Sequence, residues 1–267
     1  MKPLNYYKTV SLSLKNYSKA FQFIKEHQLT KYYIYISFFA LLLSFLIISG
    51  GLYLSHQTIQ AVEQFSMVIS FKEWVASSFP SIADSLVYWS LFFLIEVPIL
   101  ISGFLVFPVI LNTITFPILD SLTEKVNTIL FEPDATSSMN LKRMMNMFFE
   151  ITIPNAFKSI IYSLILLPFS FIPVIGPLVV VISISINAYY LGFDVLDNYF
   201  ENWNIKVDQS KRFIRSHKKV SICTGLGGSL IAMVPIIGGV LSPALSIVAG
   251  GLILKELEVY ETFKNDI

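Results

Sequence analysis

The chain has 267 residues, of which 54% are hydrophobic and only 14% charged, with a mean hydropathy of +0.66. Soluble domains carry roughly 25% charged residues, so this balance describes a membrane protein. A net charge of +1 excludes a strongly basic nucleic-acid binder, and the single cysteine, Cys223, excludes a disulfide framework or a cysteine-rich metal site.

Residues 1–31 carry six lysines against one acid, Glu26. Val10, Leu14, Tyr17, Phe21 and Ile24 recur at helical spacing with lysines opposite. This pattern predicts an amphipathic helix, either lying in the membrane interface or packed as a cap on the protein itself. Residues 32–55 follow as a first transmembrane helix: Tyr32 to Val62 holds no charge, and Tyr32, Tyr33, Tyr35 and Tyr53 sit where interfacial aromatics belong. The preceding segment is too long for a signal peptide.

Residues 56–85 are more polar and read as an external loop. A second apolar run, 86–119, is interrupted by Glu96 alone among ionisable residues. It exceeds one bilayer thickness, which predicts a tilt or a kink near Pro98 or Pro108. Residues 120–158 form a charged arm with a loop signal at 132–138.

Two apolar segments then break in nearly the same words. The first, 159–193, contains Pro173, Gly176 and Pro177 in IPVIGPL; the second, 220–254, contains Pro235, Gly238 and Gly239 in VPIIGGV. Proline removes an N–H donor and glycine frees the backbone, so both phrases end helices. Residues 194–219 form a connector with six cations and four acids, and 255–267 a tail. Lys/Arg counts of six, one, four and six in the N-terminal segment, the 56–85 loop, the arm and the connector put all but the loop in the cytoplasm.

Each broken segment therefore leaves the membrane on the side where it entered, as two full crossings or as a re-entrant hairpin. The arms have 13 and 16 residues in the first and 15 each in the second, about 20–24 Å against a hydrocarbon core of roughly 30 Å. Neither turn has a charge. Short arms and apolar tips favour re-entrant hairpins, whose exposed backbone needs protein or water partners. The second hairpin is rich in Gly225, Gly227, Gly228, Gly250, Gly251, Ser242, Ala244, Ser246 and Ala249, residues that let helices approach closely.

Four stretches in order carry a resemblance: Phe116–Val126 (FPILDSLTEKV), Phe171–Pro177, Ala188–Asp197 (AYYLGFDVLD) and the break at 234–239. Together they resemble the CysZ-like and etoposide-induced membrane proteins over most of residues 15–257. The resemblance implies an all-α membrane protein of two long transmembrane helices and two hemi-penetrating hairpins, usually a homo-oligomer. Bacterial members are associated with sulfate uptake for cysteine synthesis; eukaryotic relatives reside in the endoplasmic reticulum. The compact, lysine-rich chain reads as a bacterial inner-membrane protein, multi-pass with a cytoplasmic N-terminus.

By this resemblance the anion site takes in Lys31 and the stretch Asp120, Ser121 and Leu122. Lys158, which begins the first hairpin, is placed to meet them at the cytoplasmic rim, where a helix is expected to start at Ser121. The family's glycine-containing helix start offers free amides to an anion. Here Asp120 stands at that glycine, where a carboxylate caps the amides itself and repels sulfate. Thr30-Lys31 replaces an arginine pair, keeping one point charge without the bidentate fork. Lys31 and Lys158 form an anion-attracting mouth at the rim or snorkel to headgroups. Glu96 is a relay or pore-facing group, or an interhelical hydrogen bond. Asp194 and Asp197 read as caps or partners of a nearby cation. His27, His56 and His217 show no metal spacing, and no HExxH, CxxC, GxSxG or Walker sequence is present, so neither an enzyme nor a cofactor is expected. The sequence thus fits a permease for a small inorganic anion, or a scaffold that holds other membrane subunits through its arm and connector.

Overall fold

A computed structural model describes residues 5–131, 141–170, 172–234 and 237–263. Among them every regular element is helical: α1 (Tyr6–Glu26), α2 (Thr30–Glu63), α3 (Ser66–Ser78), α4 (Ala83–Leu91), α5 (Val97–Leu130), α6 (Leu141–Met147), α7 (Ile153–Ser170), α8 (Gly176–Asn202), α9 (Val207–Ser216), α10 (Lys218–Ala232) and α11 (Ile237–Glu256). Single π-helical turns, Phe92–Glu96 and Phe148–Thr152, precede α5 and α7. Each ends two residues before a proline, Pro98 or Pro154. Proline cannot donate to the carbonyl four residues back, and a wider turn absorbs the mismatch. Among the described residues three helices are long and apolar enough to cross a membrane: Thr30–Glu63, Gly176–Asn202 and Gly238–Glu256.

The chain divides into two compact units, 41–110 and the remainder. In the smaller unit, Ile59, Val87 and Leu91 form a modest apolar cluster. A Cβ on Gly103 would come within 2.6 Å of the Ile47 side chain, so the two helices approach closely there. Lys72 and Asp84 pair at 3.0 Å, but both are well exposed, and such pairs add under about 1 kcal/mol. The expected external loop is largely helical, since residues 56–63 contain no breaker and extend α2.

The larger unit holds both hairpins. The first break falls where the prolines and glycine put it: α7 stops at Ser170, residues 172–175 turn, and Gly176 opens α8 with Pro177 beside it. A Cβ on Gly176 would lie 2.4 Å from the Ser170 carbonyl oxygen, so only glycine fits the turn. In the second, α10 ends at Ala232 and α11 begins at Ile237; Pro235 and the loop 132–138 lie outside the described residues. Gly238 and Gly239 belong to the first turn of α11, where a Cβ on Gly238 would meet the Ile231 carbonyl oxygen at 2.1 Å.

The arms are unequal, contrary to the short arms the sequence suggested. α7 and α10 have 18 and 15 residues, whereas α8 and α11 have 27 and 20. α8 lengthens because nothing between Phe193 and Asn202 stops a helix. Asp194 and Asp197 lie inside it and cap nothing.

α10 crosses α8 where Ala188 and Gly192 face Ser221 and Gly225. Added Cβ atoms on Gly192 and Gly225 would fall 1.8 Å from the Ser221 oxygen and 2.0 Å from the Ala188 oxygen. The small residues of the second hairpin are therefore packing positions. α1 lies over α10 and α11. Its Tyr17 hydroxyl sits 2.8 Å from both the Thr224 carbonyl oxygen and Ser246 Oγ, and burial pushes the phenol above its usual range. The apolar stripe read from the sequence splits in two. Tyr17 and Ile24 are buried with Thr9, Ser13, Asn16 and Ala20, while Val10, Leu14 and Phe21 stay about half exposed. Small and polar residues make the docking face because the glycines of α10 let them in close. α1 is a packed cap that also keeps an outward apolar edge.

Three helix ends, at Gln28, Asn204 and Glu258, turn with φ near +57°. In each the next residue donates its N–H five positions back: Leu29 to Ile24, Ile205 to Phe200 and Val259 to Leu254. These are Schellman ends, and both members of each pair are buried.

Candidate functional site: a basic cleft between the first hairpin and the connector

α9 is the element that builds the site. Its Ile214 is fully buried and its Ser210 hydroxyl donates a short hydrogen bond to Asp197. Asp197 also accepts two bonds from the Arg143 guanidinium at 3.1 Å each, while Arg143 Nε donates to the Ile205 carbonyl at 3.1 Å. Asp197 is fully buried, and this forked arrangement satisfies its charge. The clamp pins α6, α8 and α9 together.

With α9 fixed, Lys211 and Arg215, four residues apart, share the face beside Ser210 and Ile214. They line a cleft of about 100 Å³ with Glu150, Ile151, Pro154, Asn155, Lys158, Tyr189, Tyr190 and Phe193. That volume holds several waters or one small oxyanion, since a water needs only ~10–15 Å³ on this measure. Asn155 Nδ2 donates to Asp194 at 2.8 Å, which orients the amide in the wall. Tyr190 stacks on Tyr162 with centroids 6.3 Å apart. Glu150 Oε2 meets Lys211 Nζ at 2.6 Å. Three cations thus face one carboxylate, and the balance favours an anion. Among the described residues, no group of three His, Cys, Asp or Glu side chains is placed to hold a metal ion.

The residues expected to form the site are not gathered here. Lys158 lines the cleft. Lys31 lies at the start of α2, exposed, its Nζ 5.3 Å above the Tyr32 ring. Asp120, Ser121 and Leu122 lie in the interior of α5, and this corrects the expected helix start at Ser121. Leu119, Leu122 and Val126 are buried at helical spacing and carry the helix on to Leu130. Amides within a continuing helix are already bonded and cannot cradle an anion. Asp120 is half-buried, with its electrostatic neighbours Glu124 and Glu201 both acidic. Glu96 ends the π turn before α5, half-buried, in the 41–110 unit. Asp194 and Asp197 answer to Asn155 and Arg143, so the expectation of a cation partner holds for Asp197. Glu150, Asn155, Tyr189, Tyr190, Lys211 and Arg215 were not singled out from the sequence, although the Lys211/Arg215 spacing was legible.

Long apolar helices that leave Phe38, Leu41, Phe45, Leu178 and Val181 exposed are the build of a multi-pass membrane protein. The family described as sulfate transporter CysZ/etoposide-induced protein 2.4 matches residues 17–243, and the chain belongs to this family. No curated protein matches the chain.

Proposed function

We propose that this protein is a permease for a small inorganic anion, with sulfate as the substrate, working passively or coupled to a gradient. The observation that carries the reading is the cleft at the base of the first hairpin, where Lys158, Lys211 and Arg215 face a single carboxylate. Family membership supports sulfate. The charge pattern supports an inner-membrane protein whose N-terminus, arm and connector face the cytoplasm, and the cleft is then a cytoplasmic vestibule. The two hairpins dip into the bilayer: α7 and α10 reach only about 27 and 22 Å at 1.5 Å per residue, and Val174 at the first tip is 88% exposed and apolar. A homo-oligomer completes the path.

Radiolabelled sulfate flux into proteoliposomes tests this. Flux above that of empty vesicles, lowered about tenfold or more by Lys158→Gln with Arg215→Gln, is expected; no flux under any imposed gradient sinks the reading. A second reading draws on Asp120 and Thr30-Lys31, which replace the family's anion-binding features. In it the chain is a non-transporting scaffold for other membrane subunits. A stoichiometric foreign partner on purification from native membranes would favour it.

A further inference from the structure

Resting on the anion reading of the cleft, a second property follows from Glu150. It stands in the π turn Phe148–Thr152, directly before Pro154 opens the first turn of α7. A π turn inserts an extra residue and redirects side chains, and such turns recur at functional sites. Here the carboxylate ends in a wall whose other charged side chains are all cations, 2.6 Å from Lys211. Lys158 and Arg215 have no carboxylate within ion-pair distance among the described residues, so only one of the three cations is neutralised. Lys211 is largely enclosed, with 18% of its side chain exposed, whereas Glu150 is 49% exposed. The acid can therefore swing out to water at little desolvation cost, while the base cannot leave.

We propose that Glu150 is a tethered stand-in for the anion: it holds Lys211 when the cleft is empty, and an oxyanion settling between Lys158 and Arg215 displaces it. The displacement sets the affinity low enough for release, and it returns a carboxylate to the site as the anion leaves. Conduction requires such a balance between entry and exit.

The test is sulfate binding to the purified full-length protein in detergent, by isothermal titration calorimetry at constant ionic strength. Glu150→Gln should bind about fivefold more tightly, the release of one part-exposed ion pair. That gain should vanish when Glu150→Gln is combined with Lys211→Gln, because the competitor and its seat form one coupled pair. Equal or weaker binding by Glu150→Gln, or a gain undiminished in the Lys211→Gln background, overturns the tethered anion. If Arg215→Gln weakens sulfate binding while Glu150→Gln brings no gain, the stand-in falls and the anion site survives. If no variant binds sulfate, the cleft is not an anion site and both fall together.

Discussion

The two hairpins share a breaking phrase and little else. In the first, the apolar span on α8 is 28% buried, and Phe157, Ile161, Ile165, Leu178 and Val181 face outward. In the second, the span on α11 is 72% buried, and Ala244, Leu245, Ser246, Val248 and Ala249 are fully enclosed. The prolines and glycines at the tips set where the chain reverses. The flanks decide what surrounds the arms. Large branched and aromatic residues give the first hairpin an exposed apolar surface. Glycine, serine and alanine let the second bring the α8 backbone into contact with α10 and seat the Tyr17 and Ser13 side chains of α1 on Gly227. A membrane hairpin is thus two separable instructions, one for the turn and one for the depth of burial in protein.

Substitutions in each hairpin and at its supports test how far the two differ. The largest effect should come from the clamp that ties α8 to the connector: Arg143→Ala leaves Asp197 buried and unpaired, and should cost about 3–5 kcal/mol, read as thermal unfolding in detergent. A loss below about 1 kcal/mol would mean that Ser210 alone satisfies the carboxylate. Next is the matched pair of leucines. Leu245→Ala in α11 should cost about 2–5 kcal/mol, whereas Leu178→Ala, 61% exposed on α8, should stay within about 0.5 kcal/mol. Equal losses would erase the distinction between the hairpins. Gly225→Ala should cost about 1–3 kcal/mol by prying α10 from α8, with Gly192→Ala close behind. The smallest change is a gain. Gln28→Gly, at a left-handed helix end, should stabilise by about 1 kcal/mol, and Asn204→Gly by less, because asparagine already tolerates that conformation.

Much of this architecture is legible in the residues. The breaks at Pro173–Pro177 and Gly238–Gly239, the all-helical class and the small-residue packing of the second hairpin all follow from local chemistry. Two features misled. Asp120-Ser121 looks like an N-cap, but the periodic Leu119, Leu122 and Val126 behind it continue the helix, and burial of that face outweighs a capping preference. Val10, Leu14 and Tyr17 look like one stripe, yet docking against glycines selects small and polar neighbours instead. The cleft itself was hidden for a different reason. Its cations come together only because Arg143 reaches Asp197 across 54 residues and Asn155 reaches Asp194 across 39, and no spacing rule connects such distant partners.

Cys223, the chain's single cysteine, lies fully buried under α1, its thiol donating to the Thr9 carbonyl oxygen at 3.3 Å. The N-terminal helix therefore covers the one group that a maleimide can modify rapidly. Alkylation kinetics of the unaltered protein report how often that helix lifts, with no label introduced and no residue changed. Transport conditions that quicken the reaction would identify α1 as a moving part, and conditions that leave it unchanged would fix it as a permanent cover.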